Sequence, residues 1–181
     1  IDDSSTPKAG KSSAGVARQY CGKLGKVENC QSGVFAILSK DNKYSMIDGQ
    51  LYLPKEWIED EERRKKAGIP DDIKFKTKIE IAEEMIYTAK TRLKFGWVGF
   101  DGGYGKSREF LYRLGDKGLI FMADIPCKMG VYTEKPDILE KEYTHDGKKV
   151  KKLVCSTKPT KVSEVIADNA NDISLVKIRE G

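Results

Sequence analysis

An apolar stretch that leads into one carboxylate and a run of glycines constrains the fold more than any other segment. Residues 97–107 read Trp-Val-Gly-Phe-Asp-Gly-Gly-Tyr-Gly-Lys-Ser, and residues 107–111 continue with a pattern typical of a helix start. The arrangement predicts a strand, a tight turn and a helix, with Asp101 at the end of the strand. Such a segment can cradle a phosphate, present a metal-binding carboxylate, or simply reverse the chain.

The glycines do not fit a nucleotide-binding loop. With Lys106 as its lysine, the pattern G-x-x-x-x-G-K needs a glycine at position 100, where this chain has Phe100. Asp101 would also place a negative charge inside the phosphate loop. The metal-binding carboxylate and the structural turn therefore remain as interpretations.

Composition narrows the class of protein. The 181 residues, 39% of them hydrophobic, suffice for one sizeable core, and the net charge of +5 permits nucleic-acid binding without requiring it. Four widely spaced cysteines and a single histidine argue against a zinc site and favour a reducing compartment. Because the sequence contains neither a bilayer-spanning apolar run nor a signal peptide, we expect a cytoplasmic protein without membrane contact. The abrupt ends suggest a piece of a longer chain.

Hydrophobic periodicity and turn residues predict an α/β core followed by a β-rich appendage. The predicted elements of the core are strands over 1–3, 29–39 and 43–53, a polar connection over 4–25, a charged helix over 55–67, the strongest helix over 77–93, a strand over 95–101, a helix over 107–114 and a strand over 119–125. The appendage has short strands over 129–133, 141–144 and 149–156, a helix over 160–167 and a strand over 173–178. We therefore expect a core over 1–126, a β-rich insertion over 127–158, and a helix and strand over 159–181.

Asp3 is the natural partner of Asp101. Metal-dependent phosphoryl transfer uses acids from separate strands, and Asp3 also ends a predicted strand. If the two strands lie side by side, their carboxylates emerge at neighbouring positions. An acid-bearing strand, a hairpin, a helix, a strand and a helix also follow one another in an RNase H-like mixed sheet flanked by helices.

An ordered series of motifs resembles a known family. The motifs are DDSSTPKAGKS at 2–12, GVARQYCG at 15–22, GKVENCQ at 25–31, LYLP at 51–54 with Trp57, Arg63-Arg64, AGIP at 67–70 and DGGYG at 101–105. Together they are similar to insertion-sequence transposases of the IS4-like DDE superfamily, and the resemblance is best over residues 1–125. Their order is more specific than any single motif.

The resemblance implies an RNase H-like enzyme that cuts and joins DNA with Mg²⁺ or Mn²⁺ held by three acids. The first acid falls on Asp3 and the second on Asp101, whereas Asp2 is a neighbour. The third acid, a glutamate in a Tyr/Arg/Glu/Lys signature, should follow a β-rich insertion; because the signature is missing here, we expect it beyond Gly181. Glu164 and Asp168 are poor substitutes, because acids on a helix surface are usually solvated. We therefore expect weak metal binding and little or no activity from this chain alone.

Two groups of cations are candidates for DNA contacts. Arg18, Lys23 and Lys26 lie in the connection after Asp3, and Lys106 and Arg108 follow Asp101, so both groups could reach backbone phosphates.

Tyr20 or Tyr104 could stack on a splayed base. The resemblance implies transposon ends and target DNA as partners, a homodimer of the full-length protein, and a nucleoid-associated bacterial location. The alternatives are ordinary surface cations and a non-catalytic DNA- or partner-binding module derived from a transposase.

Overall fold

The computed structural model describes residues 1–146 and 148–168. These residues form two compact units, the first over residues 1–124 and the second starting at Ile125. The predicted strand over 173–178 lies outside the described residues. Within the described part of the chain, no helix is long and apolar enough to cross a bilayer.

An antiparallel sheet forms the first part of unit one. Its strands are β1 (Asp2–Pro7), β2 (Ala17–Cys21), β3 (Lys26–Lys40) and β4 (Lys43–Leu51), and β3 pairs with each of the other three. The predicted hairpin is confirmed as β3–β4, whose connection includes Asp41 at a positive φ of 53°. Asp is one of the few non-glycine residues that tolerate this conformation.

The prediction of a long polar connection over 4–25 is wrong. β1 continues to Pro7, and β2 occupies part of the remainder. Ser5 is buried and its hydroxyl donates to the Ser32 hydroxyl at 3.2 Å, while the Lys8 amide donates to the Asn29 carbonyl at 2.9 Å. Strand preference depends strongly on partners, so small polar residues join a sheet where β3 supplies both hydrogen bonds and burial.

The charged segment predicted as one helix over 55–67 forms two, α1 (Lys55–Glu59) and α2 (Glu61–Lys66). They separate at Asp60, whose side chain caps α2 by accepting from the Arg63 amide at 2.9 Å. Trp57 is fully buried and its Nε1 donates to the Val16 carbonyl at 2.8 Å. Most residues of α1 and α2 are exposed to solvent, but Trp57 anchors α1 to the chain segment between β1 and β2.

The predicted helix over 77–93 is confirmed as α3 (Lys78–Arg92). Thr77 and Glu80 form a capping box at its start, in which the side chain of each bonds the backbone amide of the other. The buried face of α3, made of Ile81, Ala82, Met85 and Ile86, joins Val34 and Ala36 of β3 in one core. This packing fixes the N-terminus of α3 over the sheet.

The glycine-rich segment continues the core. Its elements are β5 (Val98–Phe100), α4 (Gly102–Gly105), α5 (Arg108–Asp116) and β6 (Phe121–Ala123), and β5 pairs with β6 in parallel. Both strands are shorter than predicted, and the expected turn is one turn of helix, α4.

The Ile1 amino group donates to the Gly99 carbonyl at 2.8 Å. This hydrogen bond places the start of β1 beside β5.

Unit two is built mainly of short antiparallel pairs. Its elements are β7 (Gly130–Val131), β8 (Ile138–His145), β9 (Lys148–Cys155), β10 (Thr160–Lys161) and α6 (Val162–Asp168). β8 pairs with β9 and β7 with β10. The predicted strands and late helix are thus present with shifted boundaries.

Replacing Gly105 by alanine should destabilise the first unit by ~1–3 kcal/mol. A Cβ at this buried position would lie 2.0 Å from the Asp124 carbonyl oxygen, which is backbone and cannot rotate away. Gly115 lies in helix α5 with open space around it, so Gly115→Ala should instead be neutral or stabilise by up to ~1 kcal/mol. Chemical denaturation measures both, and equal effects would contradict the close approach of α4 to the end of β6.

Candidate active site

Asp3 lies on the face of the sheet that meets the core. It pairs with Val34 of β3, which is completely buried, and its side chain is 28% exposed. The Lys78 ammonium lies 2.5 Å from Oδ2 of Asp3. Asp3 is therefore a half-buried carboxylate that is already paired with a cation.

Lys78 is the first residue of α3. A cation at this end of a helix is opposed by the helix dipole, so the position needs compensation. Asp3 supplies it, and the face of the Tyr52 ring adds a weaker attraction, with the Lys78 ammonium 5.5 Å from the ring centroid. The capping box of α3 thus also determines where this ammonium lies.

Asp101 follows β5 and caps α4. Its Oδ1 accepts from the Gly103 amide at 2.9 Å, and its side chain is exposed. The Ile1–Gly99 hydrogen bond joins residues two positions before Asp3 and Asp101. Asp3 and Asp101, the two aspartates predicted from the sequence, therefore each lie two residues after the point where β1 and β5 come together.

The hydroxyl of Tyr104 is a buried polar group without a hydrogen-bond partner. Tyr104 is 2% exposed, and its ring lies 6.4 Å from each of the Phe100 and Phe110 rings. Burial raises the pKa of this hydroxyl, and the negative charges of Asp3, Asp101 and Asp2 raise it further. The prediction that Tyr104 stacks on a base is wrong, because its ring is enclosed in the core.

The carboxylates at this junction repel one another. Burial raises the pKa of Asp2, and the charges of Asp101 and Asp3 add to the effect, although the Asp3 amide, which donates to Asp2 Oδ1 at 2.8 Å, opposes it. Alternate residues of β1 point to opposite faces, so Asp2 and Asp3 diverge although they are adjacent. The junction concentrates negative charge that a cation would neutralise.

The donors present fit part of a site for a hard divalent cation. Carboxylate oxygens are the ligands that Mg²⁺ and Mn²⁺ prefer, and Asp3 and Asp101 provide them from separate strands. Among residues 1–146 and 148–168, however, no three Asp, Glu, His or Cys side chains are grouped closely enough to hold a metal ion. Two protein ligands leave most coordination positions to water, which makes binding weak.

Glu164 and Asp168, the acids considered as substitutes for a third ligand, belong to unit two. Glu164 is engaged locally, with its Oε1 3.1 Å from the Lys161 ammonium. The side chain of Asp168 lies outside the described part of the chain.

The predicted DNA-contacting cations fall into two places. Arg18 is on β2, Lys23 is in a 3₁₀ turn over Gly22–Leu24, and Lys26 begins β3 and pairs with Glu28 at 3.3 Å. Lys26 stands eight residues along β3 from Val34, the partner of Asp3, up to about 26 Å in an extended strand. Lys23 and Lys26 therefore lie at the far end of the β2–β3 hairpin, whereas Arg18 pairs with Asn29, only five residues along β3 from Val34.

The second group of predicted DNA-contacting cations lies close to Asp101 in the sequence. Lys106 follows α4, Arg108 begins α5, and both are exposed. Tyr20, the other residue predicted to stack on a base, is 62% exposed on β2. DNA contact by these residues stays a prediction.

A family model described as DDE superfamily endonuclease matches residues 1–181. The chain belongs to this DDE endonuclease family. Comparison with curated proteins and with solved structures finds no match. Family membership implies a DNA substrate, and DDE endonucleases generally use divalent metals. The resemblance is thus confirmed at the level of the DDE superfamily, while its narrower insertion-sequence assignment stays a prediction.

The roles of two residues beside the acid pair escaped the sequence analysis. Lys78 is 75 residues from Asp3 in the sequence. The feature that could have revealed its role is its position at the start of a well-capped helix, where a cation is unfavourable unless an acid compensates it. Tyr104 was noticed for its aromatic ring, although its position four residues after the buried end of β5 favoured a core role. Neither residue carries a motif of its own.

Replacing Tyr104 by phenylalanine should leave the free energy of unfolding unchanged or raise it by about 1 kcal/mol, because it removes a buried hydroxyl that lacks a partner. Tyr87→Phe should lower it by a similar amount, since that hydroxyl donates to Glu83 at 2.9 Å. Tyr112 is 71% exposed, and Tyr112→Phe serves as the neutral control. Marked destabilisation by Tyr104→Phe in metal-free buffer would show that its hydroxyl has a partner.

Proposed function

We propose that this chain is the first part of the catalytic domain of an insertion-sequence transposase of the IS4-like DDE superfamily, with an RNase H-like core. In this proposal Asp3 and Asp101 are two of three acids that hold Mg²⁺ or Mn²⁺, and the third is not among the described residues. The reaction is hydrolysis of a phosphodiester at a transposon end, followed by attack of the freed 3′-hydroxyl on target DNA. The family match over residues 1–181 supports the endonuclease part.

The order of the strands supports the RNase H-like core. The antiparallel sheet runs β4, β3, β1, and the parallel pair runs β5, β6. The Ile1–Gly99 hydrogen bond brings the start of β1 beside β5, although the two strands belong to separate sheets. The proposal takes the two groups of strands as parts of one mixed sheet in the order β4, β3, β1, β5, β6, in which the acid-bearing strands would be neighbours.

The observation that carries the proposed site is the buried hydroxyl of Tyr104. It lacks a partner, and three carboxylates on two strands act on it electrostatically. A buried hydroxyl without a hydrogen-bond partner costs stability, so its presence at this position calls for an explanation. A hydroxyl beside an acid pair can donate a hydrogen bond to a ligand oxygen that enters the site.

When bound, a divalent cation neutralises charge on the phosphate and lowers the pKa of water. The chain's own residues supply the remaining functions. Asp3, near the start of β1, and Asp101, directly after β5, would hold the cation, and the cap that Asp101 forms on α4 orients its carboxylate. Lys106 and Arg108 bring positive charge for the DNA backbone close in the chain to Asp101.

A non-catalytic DNA- or partner-binding module is the second candidate. The observation that favours it is the Lys78–Asp3 ion pair, which already occupies one oxygen of a proposed ligand. In that case the pair is a structural contact, and Asp101 is only a helix cap. Metal binding separates the two candidates.

Asp3→Asn and Asp101→Asn should each weaken Mn²⁺ binding at least about tenfold, the loss expected when one of two charged ligands becomes neutral. Asp2→Asn is the matched control, because it removes a neighbouring charge that is not a proposed ligand. Electron paramagnetic resonance of free Mn²⁺ measures the affinity, which should be weak in the unmodified chain. Equal effects of all three variants would contradict the ligand assignment, and vigorous Mg²⁺-dependent nicking abolished by Asp101→Ala would contradict the incomplete site.

Lys78→Met should raise Mn²⁺ affinity about three- to tenfold, because the ammonium no longer competes for Asp3 and a half-buried pair contributes on the order of 1 kcal/mol. In metal-free buffer the same variant should be less stable, and saturating Mn²⁺ should restore part of the loss. Lys76→Met is the control, since Lys76 lies just before α3 and pairs with Glu84 at 2.6 Å. Lower stability without any gain in Mn²⁺ affinity would favour the non-catalytic module.

A further inference from the structure

The hairpin of β8 and β9 in unit two is a ribbon with two different faces. Its strands pair continuously from Ile138 opposite Cys155 to His145 opposite Lys148. Side chains alternate between faces along each strand, and directly opposed residues share a face. We call the face with Glu140 and Glu142 the paired face, and the other the lysine face.

The paired face neutralises its own charges. The Lys151 ammonium lies 2.7 Å from Glu140, and the Lys149 ammonium lies 3.7 Å from Glu142. The only acids among the paired residues 138–145 and 148–155 are these two glutamates, and both lie on this face. All the negative charge of the paired strands is therefore used to balance lysines on one side.

The lysine face has the opposite arrangement. Lys141 lies directly opposite Lys152, and like charges directly opposite each other destabilise an antiparallel pair. Next to them Tyr143 lies opposite Val150, and both side chains are about half exposed. A positively charged face that contains an exposed aromatic ring is suited to an anionic partner that relieves the repulsion.

We propose that the lysine face of this ribbon binds the sugar-phosphate backbone of DNA, with Lys141 and Lys152 on phosphates and Tyr143 against the sugar or a phosphate oxygen. Charge complementarity favours a polyanion, because both acids of the paired strands lie on the opposite face of the ribbon. Phosphate contacts from Lys and Tyr position a protein on DNA without reading its sequence. The inference rests on the proposed function for the choice of DNA as the polyanion, and it adds a binding surface in unit two that the acid pair does not use.

Lys141→Glu tests the inference, because it should change stability and affinity in opposite directions. The introduced carboxylate faces Lys152, so a repulsive pair becomes attractive and amide hydrogen exchange within β8 and β9 should slow. Affinity for duplex DNA should fall by about three- to tenfold at low salt, and the slope of log affinity against log salt should decrease by about 1. Fluorescence anisotropy over a salt series measures both, and the loss should be the same for duplexes of unrelated sequence.

Lys149→Glu is the matched control, since it makes the same change in net charge on the paired face. It should accelerate exchange in the ribbon, because it places a second acid beside Glu142, while DNA affinity falls less than with Lys141→Glu. Lys152→Glu should reproduce the effects of Lys141→Glu, which guards against misfolding of one variant. Equal loss of affinity in Lys141→Glu and Lys149→Glu would overturn the inference, because only net charge would matter.

Two further results would overturn the assignment to DNA. A loss of affinity that depends on base sequence would contradict backbone binding, and binding of a polyglutamate peptide to this face without binding of duplex DNA would indicate an acidic protein partner. Mn²⁺ affinity should be unchanged in Lys141→Glu, whereas Asp101→Asn should change Mn²⁺ affinity alone. The proposal for the ribbon and the proposal for the acid pair can therefore be refuted independently of each other.

Discussion

The first unit depends on β3 as a common pairing partner. This strand of 15 residues forms antiparallel ladders with β1, β2 and β4, and without it none of the three has a partner in the sheet. Its buried residues Val34 and Ala36 are also the surface on which α3 packs. The position of Asp3 on β1 and that of Lys78 on α3 are consequently both set by the same strand, and this is why residues far apart in sequence form a close ion pair.

The acid pair is placed where electrostatic interactions are strong. The junction of β1 and β5 borders a core of Phe100, Tyr104 and Phe110, and charges near such a core are poorly screened. That environment explains why the carboxylates act on each other and on the Tyr104 hydroxyl, and why Asp3 keeps an ammonium beside it. The same environment strengthens the attraction of any cation that replaces Lys78, and it makes an unbalanced arrangement costly.

Local patterns predicted the elements that local interactions stabilise. The hairpin of β3 and β4 follows from β-forming residues around Asp41-Asn42, and α3 follows from its apolar spacing and the Thr77–Glu80 capping box. β1 beyond Asp3 and the whole of β2 were missed, because the small polar residues of β1 and the mixed residues of β2 form strands only where β3 pairs with them. Asp101 follows the end of β5 as predicted, whereas the prediction that Asp3 ends a strand is wrong, because β1 continues to Pro7. The Lys78–Asp3 contact and the burial of Tyr104 are tertiary and leave no periodic signal.

The two units use charge in different physical settings. In unit one, Asp3 lies beside an apolar core and is paired with the Lys78 ammonium at short range, and the proposed metal would have to compete with that ammonium. In unit two, the lysines of the β8–β9 ribbon are exposed to solvent, where single contacts are weak and salt screens them. Such lysines contribute to binding because several of them lie on the same face of the ribbon. This arrangement suits a long polyanion better than a small ligand. In the proposed enzyme, weak and additive binding by the ribbon would hold DNA, and specific, short-range binding by the acid pair would select one phosphate.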